Sequence, residues 1–285
     1  MGDPGEPGAP EALESRGRPG SGHTTSRIRE AYPFSPRDSD GMPRSSFRTP
    51  GGQEVTAVTA SEMREVDRVA VEEVGLELLQ MMENAGRVLA GHVRDVRDAR
   101  TEDGEIVVVA GNGGNGGGGM ACARHLANRD VPVRVLLDRS PGELTGAAAH
   151  QARILEAMAV PRTTDADRLF ANDGPIVFVD ALVGYGLSGE VRHPARDYID
   201  RMNHRPDPVV SLDVPSGRDA TTGETLGAAV TPERTVTLAL PKTGLEPPTG
   251  TLYLADIGIP ATVYDRLDVD YDPPFDDHDW VELER

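Results

Sequence analysis

Lysine is all but missing from this chain: Lys242 stands alone, and arginine supplies nearly all the other positive charge. Cysteine is as scarce, and a single Cys122 excludes an internal disulfide, which fits a cytoplasmic protein. No apolar run approaches the length that spans a bilayer, and no signal-peptide pattern opens the sequence, so no membrane partner is expected. Positive charge as a whole is short, with 29 basic against 47 acidic residues and a formal charge of −18. Such a surface repels phosphate backbones, so nucleic acid is not an expected partner. An acidic, lysine-poor surface points to a saline cytoplasm, where carboxylate repulsion is screened. A GC-rich genome is the competing explanation, and unfolding on removal of salt separates the two.

What is present is enough chain, 285 residues, for one large α/β domain and a tail. Residues 1–50 are rich in Gly, Pro, Ser and Arg without periodicity and read as a disordered extension. Their acids and bases balance at seven each, so the negative charge belongs to residues 51–285. Met42 is an alternative translation start that mass spectrometry of the native protein would reveal. The folded part is expected over 55–267. Thr59 and Glu62 fit a capping box ahead of a helix that Gly75 breaks. A second helix spans 76–97, with Leu78, Leu79, Met82, Leu89 and Val93 as its core face. Within it Asn84 and Gly86 are poor helix formers, and a close helix contact at Gly86 explains them. Residues 268–285 read as an acidic, mobile tail apart from Trp280.

The organising stretch is a β-branched run, Ile106-Val107-Val108-Val109-Ala110, followed by the glycine-rich segment 111–119 and a helix from Met120. Glycines after a buried strand let backbone approach a ligand, and the helix beyond offers N–H groups to phosphate. Further strands at 131–137, 176–179, 209–212, 235–240 and 251–259 alternate with helices at 142–159 and 194–203. That alternation predicts a three-layer α/β/α Rossmann-like sandwich around a mostly parallel sheet. Ligands of such sheets bind at the carboxyl ends of the strands. Here those ends carry Asp138, Asp180, Asp213 and Lys242. Gly111-x-Gly113-x-x-Gly116 matches the dinucleotide fingerprint, with Asp138 about 20 residues on as a ribose-binding acid, but in so glycine-rich a segment the match is weak. A P-loop fails for want of Lys-Ser/Thr after the glycines.

A third pattern covers far more of the chain. Its residues are Ser61-Glu62-Met63 with Asp67; Met82-Glu83-Asn84-Ala85-Gly86; Gly113 to Gly119 around Asn115; Ala123-Arg124-His125-Leu126; Asp180-Ala181-Leu182-Val183-Gly184; Leu187-Ser188-Gly189; Asp213-Val214-Pro215-Ser216-Gly217 with Asp219; and Pro241-Lys242. In this order and spacing they resemble the NAD(P)H-hydrate epimerase family, or YjeF N-terminal domain. The resemblance implies an isomerase of cofactor repair that interconverts the C6 epimers of hydrated NADH and NADPH. It also implies a separate dehydratase as functional partner, since nothing like one follows in the sequence to Arg285, and a homodimer, for which the helix at 76–97 is one possible contact.

Carried over by position, the resemblance implies a potassium ion held by Asn115, Asp180 and Ser216. Substrate would be bound by Gly114, Asn115, Gly116, Gly117 and Gly118, by Gly184, Tyr185, Gly186, Leu187, Ser188, Gly189 and Glu190, and by Asp213. Asp213 is the expected general acid/base, and Lys242 the expected partner of phosphate or ring. Capping of the next turn is the alternative for each strand-end aspartate, and Asp138 is assigned to it. Cys122 and His125 are expected to be packing residues. Gly114 and Gly118 depart from the family loop, where asparagine and aspartate stand, and the second change removes a negative charge beside the expected phosphates. Two other functions fit the sequence: a nicotinamide oxidoreductase using the same segment, and a non-catalytic nucleotide-binding scaffold.

Overall fold

The computed structural model describes residues 47–100, 104–171 and 174–285. The expected extension before residue 47 and the start at Met42 lie outside them. A hairpin of β1 (Phe47–Arg48) and β2 (Glu54–Val55) leads into α1 (Ala60–Arg68). Thr59 caps that helix as expected: its side chain accepts from the Glu62 N–H, and the Glu62 carboxylate accepts from the Thr59 N–H. The helix loosens into a π-helical segment, Val69–Val74, and stops at Gly75 with φ 83°.

The main sheet has eight strands. In chain order they are β3 (Glu105–Ala110), β4 (Val133–Leu137), β5 (Arg162–Thr163), β6 (Ile176–Ala181), β7 (Val209–Leu212), β8 (Arg234–Leu238), β9 (Thr251–Ala255) and β10 (Trp280–Leu283). Across the sheet the order is β10-β9-β8-β7-β6-β3-β4-β5, parallel throughout except for β10. The chain runs outward from β3 to β4 and β5, then returns to β6 on the other side of β3. The boundary between β3 and β6 is therefore the topological switch point, where such sheets open a crevice.

Alternation along the strands assigns the layers. Ile106, Val108 and Ala110 face α2 (Leu78–Arg100), α3 (Gly114–Ala127) and α4 (Gly146–Ala157). Val107, Val109 and Phe178 face α5 (Ala166–Phe170) and α6 (Ala195–His204). A short α7 (Ala261–Arg266) packs with α1 around Tyr264. This is the three-layer arrangement expected.

Three expectations change. The glycine-rich segment is not a loop up to Met120: α3 begins at Gly114. Its glycines are used for contact, because a β-carbon at Gly117 would lie 2.6 Å from Met82 Cε and one at Gly119 2.4 Å from Ala181 Cβ. Glycine's poor helix propensity is overridden by how closely this helix sits on α2 and the sheet. Gly86 of α2 meets this helix in turn: a β-carbon there would lie 2.6 Å from Ala121 Cβ, the close helix contact expected at Gly86. Second, Leu78 and Leu79 are not core; both are exposed at the start of α2. Third, the tail is not free. β10 pairs antiparallel with β9, and Phe275 and Leu283 join a core cluster with Phe47, Val55 and Leu254. Leu283→Ala is expected to cost about 2 kcal/mol, the low end for a buried leucine because the strand lies at the edge, and a urea unfolding midpoint would show it.

Candidate functional site

The turns after β3 and β6 touch at the switch point. A β-carbon on Gly111 would lie 2.2 Å from the Leu182 carbonyl oxygen, so only glycine fits there. Above this junction opens a pocket of roughly 570 Å³, lined by Asn112, Gly113, Gly114, Asn115 and Gly118 on one side and by Val183, Gly184, Tyr185, Gly186 and Asp213 on the other. Met63, Arg64, Asp67, Leu78 and Met81 form a wall, and Asp138 with Arg139 stands at one side. The size and the mix of apolar walls with a few polar groups suit a small molecule. Gly113 caps α3 without a side chain, so nothing from the cap occupies the N–H groups of the first turn.

Beneath the rim lies a carboxylate with no basic partner among the described residues. Asp180, the penultimate residue of β6, is fully buried. Its Oδ2 accepts from Ser211 Oγ (2.8 Å) and the Ser216 N–H (2.9 Å), and its Oδ1 lies 2.6 Å from Ser216 Oγ. Burial pushes its pKa up, against the pull of these hydrogen bonds. Ser216 Oγ also accepts from the Val183 N–H at 2.9 Å. One residue further, Gly184 lets two more oxygens approach: a β-carbon there would sit 2.7 Å from Asp213 Oδ2 and 2.9 Å from Asn115 Oδ1. Asn115 is oriented by its Nδ2, which donates to the Leu212 carbonyl at 3.2 Å. Asn115, Asp180, Asp213 and Ser216, distant along the chain, thus meet around Val183 and Gly184. The donors at this corner are carboxylate, amide and hydroxyl oxygens, which suit a hard cation. Among the described residues no three His, Cys, Asp or Glu side chains form a metal-ligand group.

Asp213 follows β7 in a strained conformation. Its φ is +69°, and the Val214 N–H closes a three-residue turn onto the Leu212 carbonyl at 3.0 Å. This is the rare γ-turn, held here by the Asp213 N–H bond to the Val236 carbonyl (2.7 Å). The carboxylate is 2.5 Å from Lys242 Nζ through Oδ1, and its Oδ2 accepts from the Tyr185 N–H at 2.9 Å. Lys242 is almost fully enclosed; its ammonium also donates to the Leu238 carbonyl (2.8 Å) and reaches Thr237 Oγ1 (3.4 Å). Its donors are turned to Asp213, Leu238 and Thr237, and the side chain lines the pocket beside Asp213. Its ammonium lies 5.7 Å from the centre of the Tyr185 ring. The Tyr185 hydroxyl in turn donates to Asp67.

The other expected residues divide. Gly114, Asn115 and Gly118 border the pocket, but Gly116 and Gly117 face inward, Gly116 against the Gly111 carbonyl and Gly117 against Met82. Gly184, Tyr185 and Gly186 line the pocket; Leu187, Ser188, Gly189 and Glu190 lie beyond its lining, with Leu187 packed against the core and Glu190 beside Gly227. Asn84 donates to the Ile257 carbonyl, a tether between α2 and the segment after β9. Cys122 is buried in the core, and His125 pairs with Glu83. Asp138 is held by Arg139 through both oxygens (2.9 and 2.8 Å). Sequence reasoning gave no role to Asp67. The available signal was an acid on the apolar face of α1, four residues after Met63.

Residues 78–244 match the family described as YjeF-related protein N-terminus. The chain is 43% identical over 223 residues to an NAD(P)H-hydrate epimerase of Dehalogenimonas lykanthroporepellens, covering 77% of this chain and 89% of that one. It is 40% identical over 227 residues to the bifunctional NAD(P)H-hydrate repair enzyme Nnr of Salinibacter ruber, covering 73% of this chain and 42% of that longer protein. The crystal structure of the yeast protein ynu0 shares the fold, with a TM-score of 0.68 at 24% identity over 80% of this chain and 100% of that one.

Proposed function

Because the chain belongs to the YjeF-related N-terminal family and is 43% identical to an NAD(P)H-hydrate epimerase, we propose that it has this activity, that its switch-point pocket binds hydrated NADH or NADPH and that Asp213 moves the proton in the exchange of C6 epimers. The observation that carries this reading is the meeting of Asn115, Asp180, Asp213 and Ser216 around Gly184. The first-turn N–H groups of α3 suit the substrate's phosphates. Gly114, Asn115 and Gly118 from one side and Gly184, Tyr185 and Gly186 from the other contact it. Mixing the protein with one purified hydrate epimer should produce the other without hydride transfer; chromatography that shows no exchange would remove the reading.

A potassium ion is the fitting occupant of the oxygen cluster, with Asn115, Asp180 and Ser216 as side-chain ligands. It would neutralise the buried Asp180 carboxylate and brace three loops. Potassium added at constant ionic strength should raise the thermal midpoint of the wild type. Asp180→Asn should abolish that rise, as read by calorimetry.

Arg139 is suited to discriminate the two hydrates, since a basic group beside the strand-end acid accommodates a 2′-phosphate. Arg139→Ala is expected to raise KM for the NADPH form about tenfold, roughly the 1.4 kcal/mol of one exposed charge-assisted contact, and to leave the NADH form near wild type. A cytoplasmic protein is the proposed setting, and among the described residues no helix is long and apolar enough to cross a membrane. Exposed Val71, Val74, Leu78 and Leu79 support a homodimer through the start of α2, which a solution mass would test. A separate dehydratase would consume one epimer, an activity pairing consistent with the two-function name of the Salinibacter relative.

A further inference from the structure

Three pocket-lining carboxyl groups face the proposed substrate: Asp138, Asp213 and Asp67. Arg139 engages both oxygens of the first, and Lys242 pairs with the second. Asp67 has no ion pair among the described residues; its Oδ2 accepts from the Tyr185 hydroxyl. Tyr185 therefore holds two carboxyl groups at once, Asp67 by its hydroxyl and Asp213 by its backbone N–H. The groups facing Asp67 are Tyr185, Lys242, Asp213 and Tyr264, with Arg64 one turn back on its own helix and 5.9 Å from the Tyr185 ring centre.

Inversion at C6 requires two proton transfers on opposite faces of the ring. The carbon carries a hydroxyl and is bonded to the ring nitrogen. As the C6–O bond breaks, the nitrogen lone pair forms an N1=C6 double bond, and the departing hydroxyl must take up a proton to leave as water. A second water then adds to C6 from the other face, the double-bond pair returns to nitrogen, and the added water gives up a proton. One proton enters and one leaves, so the formula of the substrate is unchanged. A donor on one face and an acceptor on the other satisfy this; a single carboxyl group does not reach both.

Resting on the epimerase reading above, we infer that Asp67, with the Tyr185 hydroxyl on its Oδ2, is the second proton-transfer group: it protonates the departing C6 hydroxyl while Asp213 takes the proton of the incoming water. In the reverse direction the two exchange roles. Burial raises the Asp67 pKa above the ordinary carboxylate range, while the Tyr185 hydrogen bond and Lys242 pull it back down. The two carboxyl groups have unlike partners, Asp213 an ammonium and Asp67 a phenol.

The sign of the pH effect follows. In the direction in which Asp67 is the donor its acid form is needed, so kcat for that epimer falls as pH rises through its raised pKa. Tyr185→Phe removes a hydrogen bond that lowers this pKa, so the alkaline limb should move to higher pH. The test measures kcat and KM against pH for each epimer in the full chain. Asp67→Asn is expected to lower kcat by about 10²-fold or more, the usual worth of a positioned general acid, with KM little changed and the limb absent. Asp67→Glu should recover part of the rate. If the wild type exchanges epimers while Asp67→Asn keeps the wild-type rate and limb, or Tyr185→Phe leaves the limb where it was, Asp67 is not the acid. A wild type that does not exchange them removes the epimerase reading and this inference together. Should Asp67→Asn fail to fold, the limb of Tyr185→Phe decides.

Discussion

Asp213→Asn is expected to lower kcat for epimer exchange by about 10²- to 10⁴-fold, the range for loss of a proton-transfer group. The substitution is the cleanest available at this position. Asparagine tolerates the left-handed backbone, so the strained γ-turn at φ +69° is kept, and the volume is unchanged. Two contacts change. The Tyr185 N–H can still find the amide oxygen, but Lys242 loses its only carboxylate partner among the described residues while remaining enclosed. Removing one member of a buried pair costs about 3–5 kcal/mol, because an uncompensated charge is left in place. The variant should therefore be both slow and less stable. Asp213→Asn combined with Lys242→Met separates the effects: stability should return in a denaturant titration while the rate stays low. Recovery of the rate along with the stability would show that Asp213 serves only to neutralise Lys242.

Gly116→Ala should be the most disruptive single methyl group added to the glycine-rich segment. The new carbon would lie 1.7 Å from the Gly111 carbonyl oxygen and 2.6 Å from its carbon, both backbone atoms that no rotamer change can move. Gly111 is itself pressed against Leu182, so the strain cannot pass down the chain. A loss of about 3 kcal/mol or more is expected, the upper end for overpacking. Gly114→Ala is the control. Nothing lies within 4 Å of its added carbon, and it sits in the first turn of α3. There the same chemical change should stabilise by about 0.5 kcal/mol, through helix propensity and a less flexible unfolded chain. Equal unfolding midpoints for the two variants would contradict the packing described for α3.

Those glycines also show where sequence reading stops. A run of glycine after a buried strand fits a ligand loop and a tightly packed helix equally well, because composition does not record what lies opposite. The fold divides the run by position: Gly113 and Gly114 face the pocket, while Gly116, Gly117 and Gly119 accept neighbouring backbone and side chains. The tail escapes local pattern for a related reason. Val281 and Leu283 are too few to give a periodic signal, and they become a strand only because β9 offers an unpaired edge. Leu78 and Leu79 fit the helical period yet sit at the exposed start of α2. Conversely, the Thr59–Glu62 capping box was legible because its partners are three residues apart.

What the sequence determined by itself was local and ordered: the β-branched strands, the caps, the helix breaks, and the spacing of motifs that gave the family and hence the reaction. Interactions between near neighbours are written in the order of residues, and hydrophobic alternation fixes which face of a strand is buried. What only the tertiary structure decided was convergence. Strand order put the ends of β3, β6 and β7 together, enclosed Lys242 against Asp213, and brought Tyr185 onto Asp67 from 118 residues away. Contacts across such separations depend on how the layers pack, and no local pattern encodes them.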